Sequence, residues 1–182
     1  MTLLPPQSPE TTELSNLKFS KVEPYQSRHG KMRRLEAFHD MFKGMYGLGI
    51  DPGRNFGVCA IRDGELQLWW GTLDRREKLY QYGADMYALS RGYLYSQHRG
   101  DAPVIIEGAS YNERFGQVGL AEVRFGAYLG MVHAGLKAEI LPPATIRKIA
   151  FGSGKTMGWE LFPTLNHNAA DSLGCALASA LR

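Results

Sequence analysis

The chain has little cysteine, no long apolar run and no large excess of either charge. Its 182 residues include two cysteines, Cys59 and Cys175. Two thiols cannot build the disulfide framework of a small secreted domain. Each sits inside an apolar segment, so both read as small buried hydrophobes of a reduced, cytoplasmic protein. No apolar stretch reaches the length that crosses a bilayer, and no membrane role is expected. No arginine precedes Arg28, Glu10 and Glu13 are acidic, and no basic start leads into an apolar stretch. A secretory signal and an organellar transit peptide are therefore not expected. A P-loop is missing too. Gly154-Lys155-Thr156 lacks the glycine required five positions before Gly154, where Ile149 stands. The net charge of +3 permits contact with nucleic acid without requiring it.

What is present suits one α/β domain with an appendage. Hydrophobic residues make up 44% of the chain, enough for a sizeable core. Residues 1–44 read as an N-terminal extension, and 45–182 as the folded domain. The first 16 or so positions, rich in Pro, Ser, Thr and Gln, carry no periodicity and are expected to be disordered. From Lys18 to Lys43 the composition turns basic. Met32, Leu35, Phe38, Met41 and Phe42 recur near helical spacing there, which predicts a short amphipathic helix serving either as a nucleic-acid arm or as a docked surface helix.

Three strands follow at about Tyr46–Asp51, Phe56–Arg62 and Leu66–Leu73, the last two joined by an Asp63-Gly64 hairpin turn. A helix is expected over 75–98, a covered strand at Ala102–Glu107, a helix over 115–136, a strand at Ala138–Leu141 and a last helix over 168–181. This order predicts a mixed sheet, antiparallel hairpin strands then parallel strands, with helices on both faces.

Three acidic residues stand at the ends of core elements. Asp51 ends the first of the hairpin strands, just before Pro52-Gly53. Glu107 ends the strand Val104-Ile105-Ile106. Asp171 lies near the start of the last helix. Each has a plain reading alone: turn chemistry for Asp51, a strand-end charge for Glu107, and a capping box from Asn168 for Asp171. Together they can converge if the two strands are parallel neighbours. Converging carboxylates repel unless a cation lies between them, and hard oxygen ligands suit Mg²⁺ or Mn²⁺. A pair of such ions is the usual clamp for attack on a phosphodiester.

Gly49-Ile50-Asp51-Pro52-Gly53, Val104-Ile105-Ile106-Glu107 and Asn168-Ala169-Ala170-Asp171-Ser172-Leu173 resemble, in order and spacing, the three acidic motifs of RuvC-type Holliday junction resolvases. The resemblance spans roughly Tyr46 to Leu181. It implies an RNase H-like fold, a homodimer, Mg²⁺-dependent paired nicking of four-way DNA junctions, and a bacterial or phage origin. It makes Asp51, Glu107 and Asp171 metal ligands. The family usually has an acidic residue or histidine three positions before the last aspartate. Asn168 stands there, with His167 beside it, and either becomes a candidate fourth ligand or proton-transfer group. The segment between Lys155 and Asp171 is shorter than the family's. DNA contacts are expected at Arg54, Tyr111, Arg114, Phe115, Arg147, Lys148 and Lys155, with Tyr111 or Phe115 wedged into the junction and Lys155 also near the chemistry. Gln117–Met131 resembles the dimer helix, its Gly119, Gly126 and Gly130 allowing close approach of a partner or of the sheet.

Other readings stay open. The same fold serves nucleases of flaps or RNA–DNA hybrids, and Asn168 leaves room for a DNA-binding protein without catalysis. An actin-like ATPase hairpin is disfavoured, because Arg54 replaces the usual Thr or Ser and no second domain closes over a nucleotide.

Overall fold

The computed structural model describes residues 23–27, 30–74, 78–92, 98, 101–109 and 117–182. The expected disorder of the first 16 positions lies outside them, as do Tyr111, Arg114 and Phe115. The strands are β1 (Glu23–Ser27), β2 (Gly30–Phe38), β3 (Tyr46–Asp51), β4 (Asn55–Arg62), β5 (Glu65–Leu73), β6 (Val104–Glu107) and β7 (Ala138–Leu141). The helices are α1 (Leu79–Gly92), α2 (Gln117–His133), α3 (Pro143–Phe151), the single turn α4 (Gly158–Leu161) and α5 (His167–Ala180). One seven-stranded sheet runs in the order β1-β2-β5-β4-β3-β6-β7. Strands β3, β4 and β5 are antiparallel, and β6 and β7 join in parallel. Asp63 and Gly64, at φ 46° and 93°, make the tight β4–β5 turn whose twist matches its strands.

The basic segment before residue 45 is not an amphipathic helix. It forms β1 and β2, with a single helical turn at Asp40–Phe42. Strand β2 pairs along the whole of β5, from Gly30 opposite Leu73 to Phe38 opposite Glu65, so the sheet crosses the boundary expected at 44/45. The cause is tertiary. Leu35 and Ala37, two apart, are buried on one face, while Arg34 lies over Trp69, 5.8 Å from its ring centroid, and pairs with Glu36 on the other. Alternation that pairs with an available edge outweighs a loose helical period.

The sheet is covered on both faces. Helices α1 and α2 bury Tyr82, Met86, Val123 and Ala127 against Leu48, Ile50, Val58 and Ile106. On the opposite face α3, α4 and α5 enclose Phe42, Ile61, Leu68, Phe151 and Phe162. Helix α5 is buried without a break from Ala169 to Ser179 apart from half-buried Asp171. It can lie this close because the strands beneath it carry glycine. A Cβ at Gly49 would stand 2.2 Å from the Ala176 nitrogen, and one at Gly57 1.9 Å from the Asn168 oxygen. Ser179 pins the far end: its hydroxyl donates to the Pro103 carbonyl at 2.7 Å and accepts from the Leu48 N–H at 3.2 Å.

Two further expectations change. The stretch carrying Arg147 and Lys148, for which the sequence pattern predicts no helix, is helical. Pro143 starts α3, where its missing N–H costs nothing, and Gly152 ends it in the left-handed region at φ 75°. In α2, Gly126 and Gly130 do not face outward. A Cβ at Gly126 would lie 2.1 Å from the Gly83 oxygen, and one at Gly130 2.6 Å from the Ser90 Cβ, so both admit α1 of the same chain.

Candidate metal centre

The parallel register of β3 and β6 sets Gly49 opposite Ile105 and Ile50 opposite Ile106. The next residue on each strand is a carboxylate, Asp51 and Glu107, and both leave the sheet on the same edge. Helix α5 crosses above and supplies Asp171. Ligand atoms of the three carboxylates all lie within 4.8 Å of one another, and each side chain is half-buried. The capping reading of Asp171 fails. The N-cap is Asn166, whose side chain accepts the Asn168 N–H at 3.0 Å, and Asp171 is the fifth residue of α5. Its position is explained by the cluster and not by helix initiation.

Burial raises the Asp171 carboxyl above its ordinary value, and Arg147 and then His167 pull it partly back. Arg147, on α3, lines a cleft with Glu107, Ile146, Phe151 and Asp171. It is a half-buried cation built into the wall of the cleft, not a side chain free on the surface. One turn beyond Asp171, the buried Cys175 thiol is pushed well up, first by burial and then by Glu107, Asp51 and Asp171. Its sulfur is not among the ligand atoms that converge there. The donor set is therefore oxygen alone, which fits Mg²⁺ or Mn²⁺ better than a thiophilic ion.

Because the folded chain holds the Asp171 proton more tightly than the unfolded chain does, the metal-free protein loses stability as pH rises from the ordinary aspartate range through the raised value. Asp171→Asn removes that slope. Metal-free melts from about pH 4 to 8 should show the variant as stable as the parent or more so near neutrality. A variant that melts well below the parent there would mean that the charge is compensated within the fold.

The other expected residues distribute unevenly. Asn168 is half-buried at the second position of α5, three residues before Asp171 and so on the same side of the helix. His167, the first residue of α5, is exposed and stacks on Trp159, with centroids 5.5 Å apart and planes at 10°. Lys148 and Lys155 are exposed, and the Lys155 N–H donates to the Ser153 hydroxyl. Arg54 is exposed in the turn after Asp51, its carbonyl accepting the Leu73 N–H. Trp159 went unremarked in the sequence. Its signal was a large aromatic directly after Gly158, in a stretch broken by Gly and Pro.

A mixed sheet of this order, with carboxylates at the ends of the adjacent parallel strands β3 and β6 and on the last helix, is the RNase H-like fold. No protein-family model matches the chain, and no curated protein matches it in sequence. Among solved structures the chain is similar to the Thermus thermophilus RuvC structure, at 18% identity and a TM-score of 0.55, over 74% of this chain and 92% of that one. It is likewise similar to T. thermophilus RuvC in complex with Holliday junction substrate, at 18% identity and a TM-score of 0.54, over 75% and 93% of the two chains. The likeness is one of fold and supports the RuvC-type resemblance of the three acidic motifs.

Proposed function

We propose that this chain is a metal-dependent endonuclease that resolves four-way DNA junctions by paired symmetric nicks, acting as a homodimer in the cytoplasm. The observation that carries the reading is the meeting of Asp51, Glu107 and Asp171 within 4.8 Å on a RuvC-like fold. One neighbour of that fold was solved on a Holliday junction substrate, which favours a branched substrate over a flap or a hybrid. The intact trio also weighs against a DNA-binding protein that has lost catalysis.

Asp51, Glu107 and Asp171 would hold Mg²⁺ or Mn²⁺, with Asn168 as a fourth ligand. A bound ion of this kind would supply Lewis-acid activation of water and offset charge developing on the phosphate. The chain's own residues do the rest. Arg147 offsets the charge of the trio and offers a donor to a non-bridging oxygen of the scissile phosphate. His167 stands at the solvent edge, where it can pass a proton to water. Arg54, Lys148 and Lys155 meet phosphates of the arms and fix register without reading sequence.

Arg147→Ala should slow cleavage at saturating enzyme by about 10- to 100-fold. Lys155→Ala should act mainly on affinity, lowering the slope of log affinity against log salt by about 1. Equal, small effects of both on rate would remove Arg147 from the chemistry.

The dimer is proposed through the outward face of α2. Ala121, Phe125, Tyr128 and Val132 recur at one-face spacing. Phe125 is 56% and Val132 39% exposed, and the Phe125 and Tyr128 rings stack at 6.3 Å. Phe125→Glu should convert a dimer at micromolar concentration into a folded monomer by light scattering. An unmodified chain that is already monomeric would sink this part of the proposal.

The function itself is tested on a panel of synthetic substrates in Mg²⁺: a four-way junction, a flap, a nicked duplex and an RNA–DNA hybrid. Preferential cutting of the junction is expected. Preferential cutting of the hybrid or flap would move the chain to another RNase H-like activity.

A further inference from the structure

We propose that Trp159 and His167 form a stacking subsite for one unpaired nucleobase of the DNA strand that passes the carboxylate cluster. The inference rests on the nuclease reading and deepens it, naming a contact that neither the acidic motifs nor the basic side chains supply.

The pair is built by local packing. Gly158 lets the single turn α4 press against the start of α5, since a Cβ there would meet the Ala170 oxygen at 2.9 Å. That contact brings Trp159, the next residue, over His167, the first residue of α5. The rings are nearly parallel, at 10°, with centroids 5.5 Å apart. Neither is core. Trp159 is 40% exposed and belongs to no buried cluster, while His167 is exposed. A large indole left in water at a rim is poorly explained by stability and well explained by a ligand with an apolar face.

The surroundings specify the ligand. His167 lies one helical turn before Asp171 and close enough to influence that carboxyl. Lys155, exposed, precedes Trp159 by one turn's worth of chain. Along the chain the aromatic pair follows an exposed lysine and precedes Asp171, a mixture of ring and charge suited to a single nucleic-acid strand. Two rings already stacked continue as three without first ordering a mobile side chain, and every base has a π-face. A base in intact duplex is already stacked on its neighbours. The suitable partner is therefore a base freed at a branch point, beside the bond to be cut.

The test uses tryptophan fluorescence of the full chain, titrated with a four-way junction under chelator so that no cleavage intervenes. Of the three tryptophans, Trp69 is buried at 1% exposure, Trp70 is half-buried on β5 and Trp159 is exposed, so Trp159→Phe is what assigns the signal. Junction binding should quench fluorescence. Trp159→Phe should lose most of the quench yet keep affinity, because phenylalanine still stacks. Trp159→Ala should bind about 5- to 100-fold more weakly. A single abasic nucleotide, moved stepwise around the branch, should abolish the quench at one position. Three results overturn the subsite: a quench that survives in Trp159→Phe, parent-like binding by Trp159→Ala, or a quench indifferent to every abasic position. Failure of the unmodified chain to bind any DNA would instead overturn the nuclease reading, and the subsite with it.

Discussion

Asp51→Asn should reduce the rate of junction cleavage by about 1,000-fold or more while junction affinity stays equal or tightens slightly. The asymmetry follows from where the side chain sits. Asp51 is half-buried at the end of β3, with ligand oxygens of Glu107 and Asp171 within 4.8 Å, so on the proposed reading its charge would serve to hold a cation. On that reading affinity for DNA would come from lysine and arginine side chains, and removing a negative charge should not weaken it. The amide keeps the shape and loses the charge, so the fold should stand. Rates at saturating enzyme, together with gel-shift affinity under chelator, separate the two quantities. Parent-like nicking would end the assignment of Asp51. Lost binding with lost folding would mean that the residue is structural.

Gly49→Ala should cost the fold about 3 kcal/mol or more. The added methyl would lie 2.2 Å from the Ala176 nitrogen, 2.4 Å from the Ser172 oxygen and 2.5 Å from the Cys175 Cβ. Two of these are backbone atoms of a helix buried between the sheet and α3, and neither can swing away. Relief requires lifting α5 from β3, which would also move Asp171 off Asp51 and Glu107. Gly174→Ala is the control. Its methyl would meet the tip of the Phe151 ring at 3.2 Å, which a small ring shift accommodates, so a loss within about 1 kcal/mol is expected. Denaturant midpoints at constant slope measure both. Equal midpoints would mean that the helix–sheet contact is looser than its geometry.

The parts of this molecule written locally could be read from its sequence. The Asp63-Gly64 turn between two apolar runs marks β4 and β5, and the four-residue run ending in Glu107 marks β6, because turn chemistry and strand pattern lie side by side. Asp51 and Glu107 were legible because each ends a strand, whereas Asp171 lies more than a turn inside α5 and was legible only beside the other two. What was missed depended on partners far along the chain. Strand β2 takes its form from β5, with Leu35 opposite Leu68 and Ala37 opposite Leu66, and its own spacing reads equally as a helix. Helix α3 was hidden because Pro142-Pro143 looks like a stop, whereas the second proline is a start. Gly126 and Gly130 of α2 signal close approach without saying to what, and the answer is α1. The Trp159–His167 pair joins residues eight apart through a turn that only Gly158 permits.

The central claim is that the carboxylate trio is a metal site that cuts four-way DNA. The most direct measurement is strand-resolved mapping of a synthetic junction, each strand labelled in turn, with the unmodified chain in Mg²⁺ and in chelator. The account predicts nicks at symmetry-related positions on two opposing strands in Mg²⁺ and none in chelator. A junction that is bound but left whole in Mg²⁺ and in Mn²⁺, or one cut equally well in chelator, would contradict it.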